Sequence, residues 1–581
     1  MPVLATVLIA TGALALGLRF VPADVPGRVA IAAASGFAAL AGGAGWLVSI
    51  RIHFPLVWLM LLAAPILWNR HALMVQLDAS RREWHTFVQA SPRGAAAAVM
   101  LLGLASTGAW LPTMQMDDLT YHLNLPAQLA EQARYVGDPL HSAWAYAPWM
   151  GDVGQGIAWL LAGREARGAM NMFWLLSAAV ALMAAARALG AAPVERTAIL
   201  ALFASFPPLV WLMAGMQTEL PALAVLFALV ALLLHDRQAR HPYAATVLFA
   251  ALAALKPMHI VAATPLLIYV MVHLRTLARH LPIMLAVFVV IAGSSYAHAA
   301  WHTGNPVFPL FNAFFESPYY PAANMSDTRW LSGFGPLLPW HMTFSTSDYL
   351  EAWNGGVGFL WIGLAGASLL ALQRRSTRFL ACVGLGIALI PLLPMQYARY
   401  AYPGLLLLLV PALCGSRDAV AHTRMWLLPV VLLCGLNLAY QANSGWTHHS
   451  AALKRAIRAP GAPESVLPYY VAERTLLRRL PTGESGIVLA TDPQRGYVGE
   501  LGVRGRSMSV HAPALAEARE AADEDPTGAR WRAVFEQLGV RWILVTEAAA
   551  SEGLRLALHS DPDIALFESM QGIELWIRDT D

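Results

Sequence analysis

Charge is scarce in this 581-residue sequence: Asp, Glu, Lys and Arg make up 13% of it, against 57% hydrophobic residues. Soluble globular domains carry about 25% charged side chains, so a water-soluble enzyme is excluded, as is a disordered chain. Lysine is nearly missing; Lys256 and Lys454 are the only two, and arginine supplies the rest of the basic charge. A net charge of +3 gives no field suited to nucleic acid, so no nucleic-acid partner is expected. Cysteine occurs three times, at Cys382, Cys414 and Cys434, always within an apolar run. That rules out a disulfide framework and leaves the compartment unread. The apolar N-terminus, MPVLATVLIATGALALGL, has no basic flank before it and reads as a retained membrane helix rather than a cleaved signal.

What charge there is lies unevenly. Residues 442–581 hold 34 of the 75 charged side chains, and residues 1–441 hold the other 41. The expectation is a polytopic α-helical membrane protein of about 12–14 transmembrane helices with a C-terminal soluble α/β domain. A crossing needs about 20 apolar residues. Such stretches fall near 3–20, 28–48, 54–69, 94–112, 168–188, 197–213, 218–234, 242–256, 259–273, 281–301, 353–372, 378–394, 400–415 and 425–441. One alternate set of loops (19–28, 70–93, 187–196, 235–241, 274–280, 373–378, 416–424) carries 17 Lys and Arg, and the other set carries 7. By the positive-inside rule the first set is cytoplasmic. In an inner membrane this places the long loops 113–167 and 302–352, and the tail after 442, on the periplasmic side. The chain then divides into N-terminal helices (1–93), a membrane module (94–441) and the tail (442–581).

Both long loops exceed what a connection requires. In the first, LTYHLNLPAQLAEQ and GDVGQGIAWLLAG read as amphipathic helices at the interface. Tryptophans 110, 144, 149, 301, 330, 340 and 353 fit an interfacial belt, in contact with membrane lipids. In the tail, 485–491, 540–546, 564–570 and 573–579 have strand character, while 531–539 and 551–559 have helical spacing. Residues 516–530 read as a solvated charged segment. With no phosphate loop and no nucleophile motif, the tail is expected to be accessory.

Ionisable groups at membrane depth are costly and usually face a cavity. The adjacent carboxylates Asp117 and Asp118 follow a span; their repulsion raises one pKa, which suits a general base or an ion ligand, although Asp also caps helices. Glu219 opens a span, where it is a further catalytic candidate or else serves the dipole of the helix N-terminus. Lys256 lies between two apolar helices and could meet a phosphate as a point charge or snorkel to lipid. Arg399 stands at another outer boundary, where a guanidinium can grip phosphate bidentately. His122 follows Asp118 by four, on one helix face, but no metal-ligand spacing accompanies it; it reads as an interfacial hydrogen-bonding residue, as do His141, His302 and His341. Carboxylates facing cations suit a substrate with a phosphate leaving group and an acceptor to be deprotonated.

Several segments carry a family resemblance. MDDLTYHLNLPAQLAEQARYV, WMGDVGQGIAWLLAGREARGAMNMFW, MQTELPALA, ALKPMHI, TGNPVFPLFN and ARYAYPGLLLLL resemble, in this order, motifs of GT-C-type glycosyltransferases that use polyprenyl-phosphate sugars, the kind that includes aminoarabinose transferases and protein O-mannosyltransferases. The likeness covers roughly 94–416. Glu219 stands where the family usually has Asp, and the extra N-terminal spans depart from the pattern. The resemblance implies an inverting transfer of a hexose or pentose from a lipid-phosphate donor to a lipid, glycan or protein acceptor. An acid of the first loop would be the base, and Lys256 and Arg399 would hold the donor phosphate. Tyr121, His122 and Tyr400 join as substrate-binding candidates from the matching motifs. Asp118 is favoured over Asp117 as base because it lies nearer His122. No cofactor is required, with a divalent cation held by the acidic pair and Glu219 as the alternative. A transporter or lipid flippase would show internal repeats and broken helices at the midplane; a non-enzymatic assembly or sensor protein would leave Asp117, Asp118, Lys256 and Arg399 unexplained.

Overall fold

The computed structural model describes residues 1–235, 241–272, 277–415, 427–459, 463–481 and 483–579. The expected inner loop 416–424 lies outside these residues. Each of the fourteen apolar stretches carries helix. Three described helices, Arg28–Gly45, Arg167–Ala188 and Ala278–Thr303, are long and apolar enough to cross a membrane, or four if the bent pair Pro55–Trp68 and Arg70–Ala90 is one span. The other apolar helices are shorter or interrupted, many of them beside a proline, which removes a backbone donor and clashes with the preceding turn.

The centre of the bundle is helix Glu219–His235, in which every residue from Glu219 to Leu233 is buried. A helix apolar on all sides has no solvent face to offer and is therefore enclosed. Its neighbours include Arg167–Ala188, Pro242–Leu255 and Arg28–Gly45. The N-terminal helices join this bundle directly. Pro2–Gly17 and Arg28–Gly45 approach so closely that a Cβ on Gly17 would overlap the Ala32 carbonyl, and one on Gly36 the Ala13 carbonyl. Small residues permit such backbone contact in apolar surroundings.

Residues 70–93 depart from the expected loop. Arg70–Ala90 is a helix, bent by 76° from the preceding one. Its Ala, Leu, Gln and Arg content favours helix, and an Asp78–Arg82 pair at i,i+4 adds to it.

The tail holds a five-stranded sheet of β1 (Ile487–Ala490), β2 (Gly505–Ser507), β3 (Val540–Thr546), β4 (Ile564–Met570) and β5 (Ile573–Arg578), in the order β2-β1-β3-β5-β4. The β2-β1-β3 pairs are parallel and the β3-β5-β4 pairs antiparallel. Alternation along β1 and β3 sends Leu489, Ile543 and Val545 to one face, with Trp531, Phe535 and Leu554. Val488, Trp542 and Leu544 go to the other, with Leu476 and Leu477 of helix Ala472–Leu477. The segment expected to be solvated, 516–530, is helical through Pro513–Asp523, with Leu515 and Ala522 buried; its Ala, Glu and Arg are strong helix formers.

The tail sits on the first long loop. Helix Asn124–Gln132 and the turn before it bury Leu119, Leu123, Leu125 and Leu129 beneath the tail and the bundle. An apolar seam joins Leu111, Met114, Leu119 and Leu123 to Val466, Leu467 and Val471 of the tail. Of the tryptophans read as a belt, Trp110, Trp301, Trp340 and Trp353 are exposed. Trp149 is buried, donating its indole N–H to Ser294 Oγ at 3.0 Å, and Trp330 is buried as well.

Candidate functional site

The two adjacent acids have different fates. After Asp117 the backbone makes one wide turn, in which the Leu123 N–H donates to the Asp118 carbonyl five residues back at 2.9 Å. Wide turns of this kind recur at functional sites. Asp118 points inward and is fully buried; both of its oxygens accept the Met216 N–H, at 2.9 and 3.0 Å. Burial pushes its carboxyl up to about 7 against the downward pull of His122 and the Met216 N–H. Behind it, His122 Nδ1 lies 2.8 Å from Asp152 Oδ1. Burial pulls the His122 imidazole down, but Asp152 and Asp118 outweigh it and leave it above its usual range. His122 and Asp118 thus belong to a buried network that holds the loop.

Asp117 is the half-exposed member, at 36% of its side chain. Its Oδ2 lies 3.8 Å from Arg399 Nη1, and Arg399 Nε lies 3.6 Å from Glu219 Oε1. The same Glu219 oxygen is 3.5 Å from Lys256 Nζ. Two cations therefore share one buried carboxylate, and the charge sequence runs Lys256, Glu219, Arg399, Asp117. Tyrosine rings complete the setting: Lys256 Nζ is 5.3 Å from the Tyr400 ring, and the Arg399 guanidinium is 4.6 Å from Tyr397. Arg399 thus bridges Glu219 and Asp117, two of the acids named for the alternative ion site. Among the described residues no three His, Cys, Asp or Glu side chains group to hold a metal ion.

Two cavities meet at Asp117. The smaller, about 270 Å³, is lined by Gln115, Gln217, Arg329, Glu351, Tyr397 and Arg399, among others, and from the tail by Tyr470, Arg495 and Tyr497. The larger, about 650 Å³, is bounded by the first loop from Met116 to Ala145, by Tyr319, and by tail residues 493–511. Met116 and Asp117 line both. The tail segment 493–498 alternates: Gln494 and Gly496 face the larger cavity, Arg495 and Tyr497 the smaller.

Folded this way, the chain invites comparison with known proteins. No protein-family profile matches it, and no curated protein matches it by sequence. Among solved structures, ArnT from Cupriavidus metallidurans bound to undecaprenyl phosphate aligns with a TM-score of 0.52. The alignment has 15% identity over 84% of this chain and 98% of that one. The apo state of the same enzyme aligns at 0.50, with 15% identity over 86% and 98%. The chain has the GT-C glycosyltransferase fold.

Within the GT-C fold, Asp117, Glu219, Lys256, Arg399 and Tyr400 come together as one cluster, Tyr121 lines the larger cavity, and Asp118 and His122 lie beneath. Sequence reasoning missed Asp152, Tyr397 and the tail residues Arg495 and Tyr497. Asp152 was detectable as an acid in an otherwise apolar helix. The tail residues carried no such signal, because charge in a soluble domain costs nothing to expose. The tail, read as accessory, supplies walls to both cavities.

Proposed function

We propose that this chain is a membrane glycosyltransferase that moves a sugar from a polyprenyl-phosphate donor to a hydroxyl acceptor on the outer face, with inversion. The observation that carries this reading is the meeting of a half-exposed carboxylate and a buried guanidinium, 3.8 Å apart, where two cavities join. That the ArnT structure is bound to undecaprenyl phosphate supports a carrier of the same chemistry here. In this reading the shorter and interrupted apolar helices complete a polytopic bundle of 12–14 crossings, and the charge bias of the loops puts the site on the periplasmic side of an inner membrane.

The reaction needs three things at one place. An acceptor oxygen attacks the anomeric carbon as the bond from that carbon to the phosphate oxygen breaks. The leaving phosphate gathers negative charge, and a fixed cation there is worth about 3 kcal/mol in the transition state. Arg399, flanked by the 270 Å³ cavity, takes that role, with Lys256 as a second cation beside it. Glu219 holds both cations in position without neutralising the pair. Asp117 accepts the acceptor's proton; a carboxylate in that role contributes about 10²–10⁴-fold. Asp118, with both oxygens on the Met216 N–H, is a positioning residue, so the base moves one residue from where the sequence placed it.

The test is a titration of undecaprenyl phosphate against the wild type and Arg399→Ala, alongside donor turnover by Asp117→Asn. Loss of one charge-assisted contact costs about 1.5–3 kcal/mol, which is about tenfold to over a hundredfold in affinity. Asp117→Asn should keep carrier affinity and lose turnover. Unchanged carrier affinity in Arg399→Ala would refute the phosphate site.

A further inference from the structure

We infer that the 650 Å³ cavity is an acceptor site for a saccharide, read on one side by the first outer loop and on the other by the tail. The inference rests on the transferase reading above and names the acceptor's chemistry, which that reading leaves open. The cavity is within the roughly 300–1,000 Å³ range of small-ligand sites, and Asp117 stands in its wall.

Its lining fits a sugar. Rings from Tyr121, Trp144 and Tyr319 are set among the amides of Asn124 and Gln494 and the imidazole of His511. A sugar ring presents C–H faces and O–H edges together, and aromatic faces beside planar polar groups match both. The Tyr121 and Trp144 rings lie 6.1 Å apart. Charge in the lining is sparse and mixed, with Asp117 and Asp138 against Arg506. That suits a ligand recognised by hydrogen bonds rather than by net charge. Arg506 is held in the wall by its Nη1, which donates to the Leu538 carbonyl at 3.0 Å.

A peptide acceptor would be read differently. Extended peptides add to exposed sheet edges, and β2, the edge strand nearest the cavity, is already occupied. His141 Nδ1–H donates to the Ser507 carbonyl at 3.0 Å, and Ser507 Oγ–H donates back to the His141 carbonyl at 2.7 Å. These reciprocal bonds close the edge and fasten the tail to the loop. The strand cannot accept a peptide there without breaking them.

The experiment overlays full-length protein in detergent on one array of defined oligosaccharides and hydrophilic peptides, with undecaprenyl phosphate affinity measured on the same preparation. Signal on a subset of oligosaccharides is expected. It should fall roughly tenfold in Trp144→Ala, the scale of one lost aromatic contact, and fall also in Gln494→Ala on the opposite wall, a surface-loop change whose folding is checked by thermal unfolding. Arg399→Ala should keep the oligosaccharide signal while losing carrier affinity. Signal confined to peptides, or no oligosaccharide signal while carrier affinity is intact, overturns the saccharide site. Oligosaccharide signal without carrier affinity supports the site and refutes the donor reading instead.

Discussion

Replacing Arg474 by methionine removes the ion that fastens the tail to the membrane module. The side chain is 1% exposed. It donates from Nε to Glu500 at 2.8 Å, from Nη1 to the Thr113 carbonyl at 2.6 Å and from Nη2 to Glu165 at 2.7 Å. Glu165 also binds the Thr113 hydroxyl, and Arg167 continues the network to the Leu111 and Met213 carbonyls. Methionine fills much of the volume but takes the shared cation from Glu165 of the loop and Glu500 of the tail, leaving them Arg167 at 3.9 Å and Arg478 at 3.5 Å respectively. Breaking a buried pair from one side costs about 3–5 kcal/mol, or about two to three and a half decades in the ratio of docked to undocked tail. The tail's own sheet keeps its two cores, so the loss falls on docking. Hydrogen exchange should show lost protection at 111–119 and 472–477 while β1 and β3 stay protected. Acid reports the same contact. Burial would raise the Glu165 carboxyl, but Arg474 and Arg167 hold it down at about 2 against an ordinary 4.5. Its stabilisation is therefore full above about pH 4.5 and is lost as pH falls toward 2, a depressed carboxylate being worth about 1.4 kcal/mol per pH unit across that window. In Arg474→Met the Glu165 carboxyl is no longer held so low, so this acid loss should shrink. Equal protection in both proteins, or an unchanged acid profile, would refute the docking role.

Asp118→Asn should retain turnover and unfold at or above the wild-type temperature near pH 8. A carboxyl raised to about 7 by burial loses stability as pH rises from about 4 through 7, and an amide removes that loss; inactivity with an intact fold would return the base to Asp118. Glu219→Gln leaves Lys256 and Arg399 without their buried counter-charge, and should lower thermal stability by about 3–5 kcal/mol. Added undecaprenyl phosphate should then raise the melting temperature more than it does in the wild type; an equal or smaller rise would place the carrier phosphate elsewhere. Cysteine labelling from outside should reach 113–167, 302–352 and the tail, while 70–93 and 373–378 stay protected; outside labelling of residue 375 in intact cells would reverse the orientation.

How far the sequence could be read depended on where charge is expensive. Glu219, Lys256 and Arg399 stood out because each interrupts apolar sequence, and the same cost that makes them visible draws them together in the fold. The strands of the tail were visible as short apolar, β-branched runs, except β2, whose three residues Gly505–Ser507 are too few to read. The choice between Asp117 and Asp118 was not readable, because it turns on the wide backbone turn and on the Met216 N–H, which comes from a distant loop. Arg474 looked like any arginine of a soluble helix; its burial is created by the first loop beneath it. The tryptophans divided for a similar reason, since hydropathy cannot tell an exposed indole from one packed inside, as Trp149 is against Ser294 and Trp330 against Tyr397.

The partition at Met116 and Asp117 bears on kinetic order. Under the proposed assignment, the donor's phosphate and the acceptor occupy chambers with only those two lining residues in common. Filling one chamber leaves the other open, so neither substrate has to wait for its partner. Direct transfer across so thin a boundary also calls for no sugar parked on the protein. Initial-rate plots for such an arrangement intersect, as for random loading into a ternary complex, and do not run parallel.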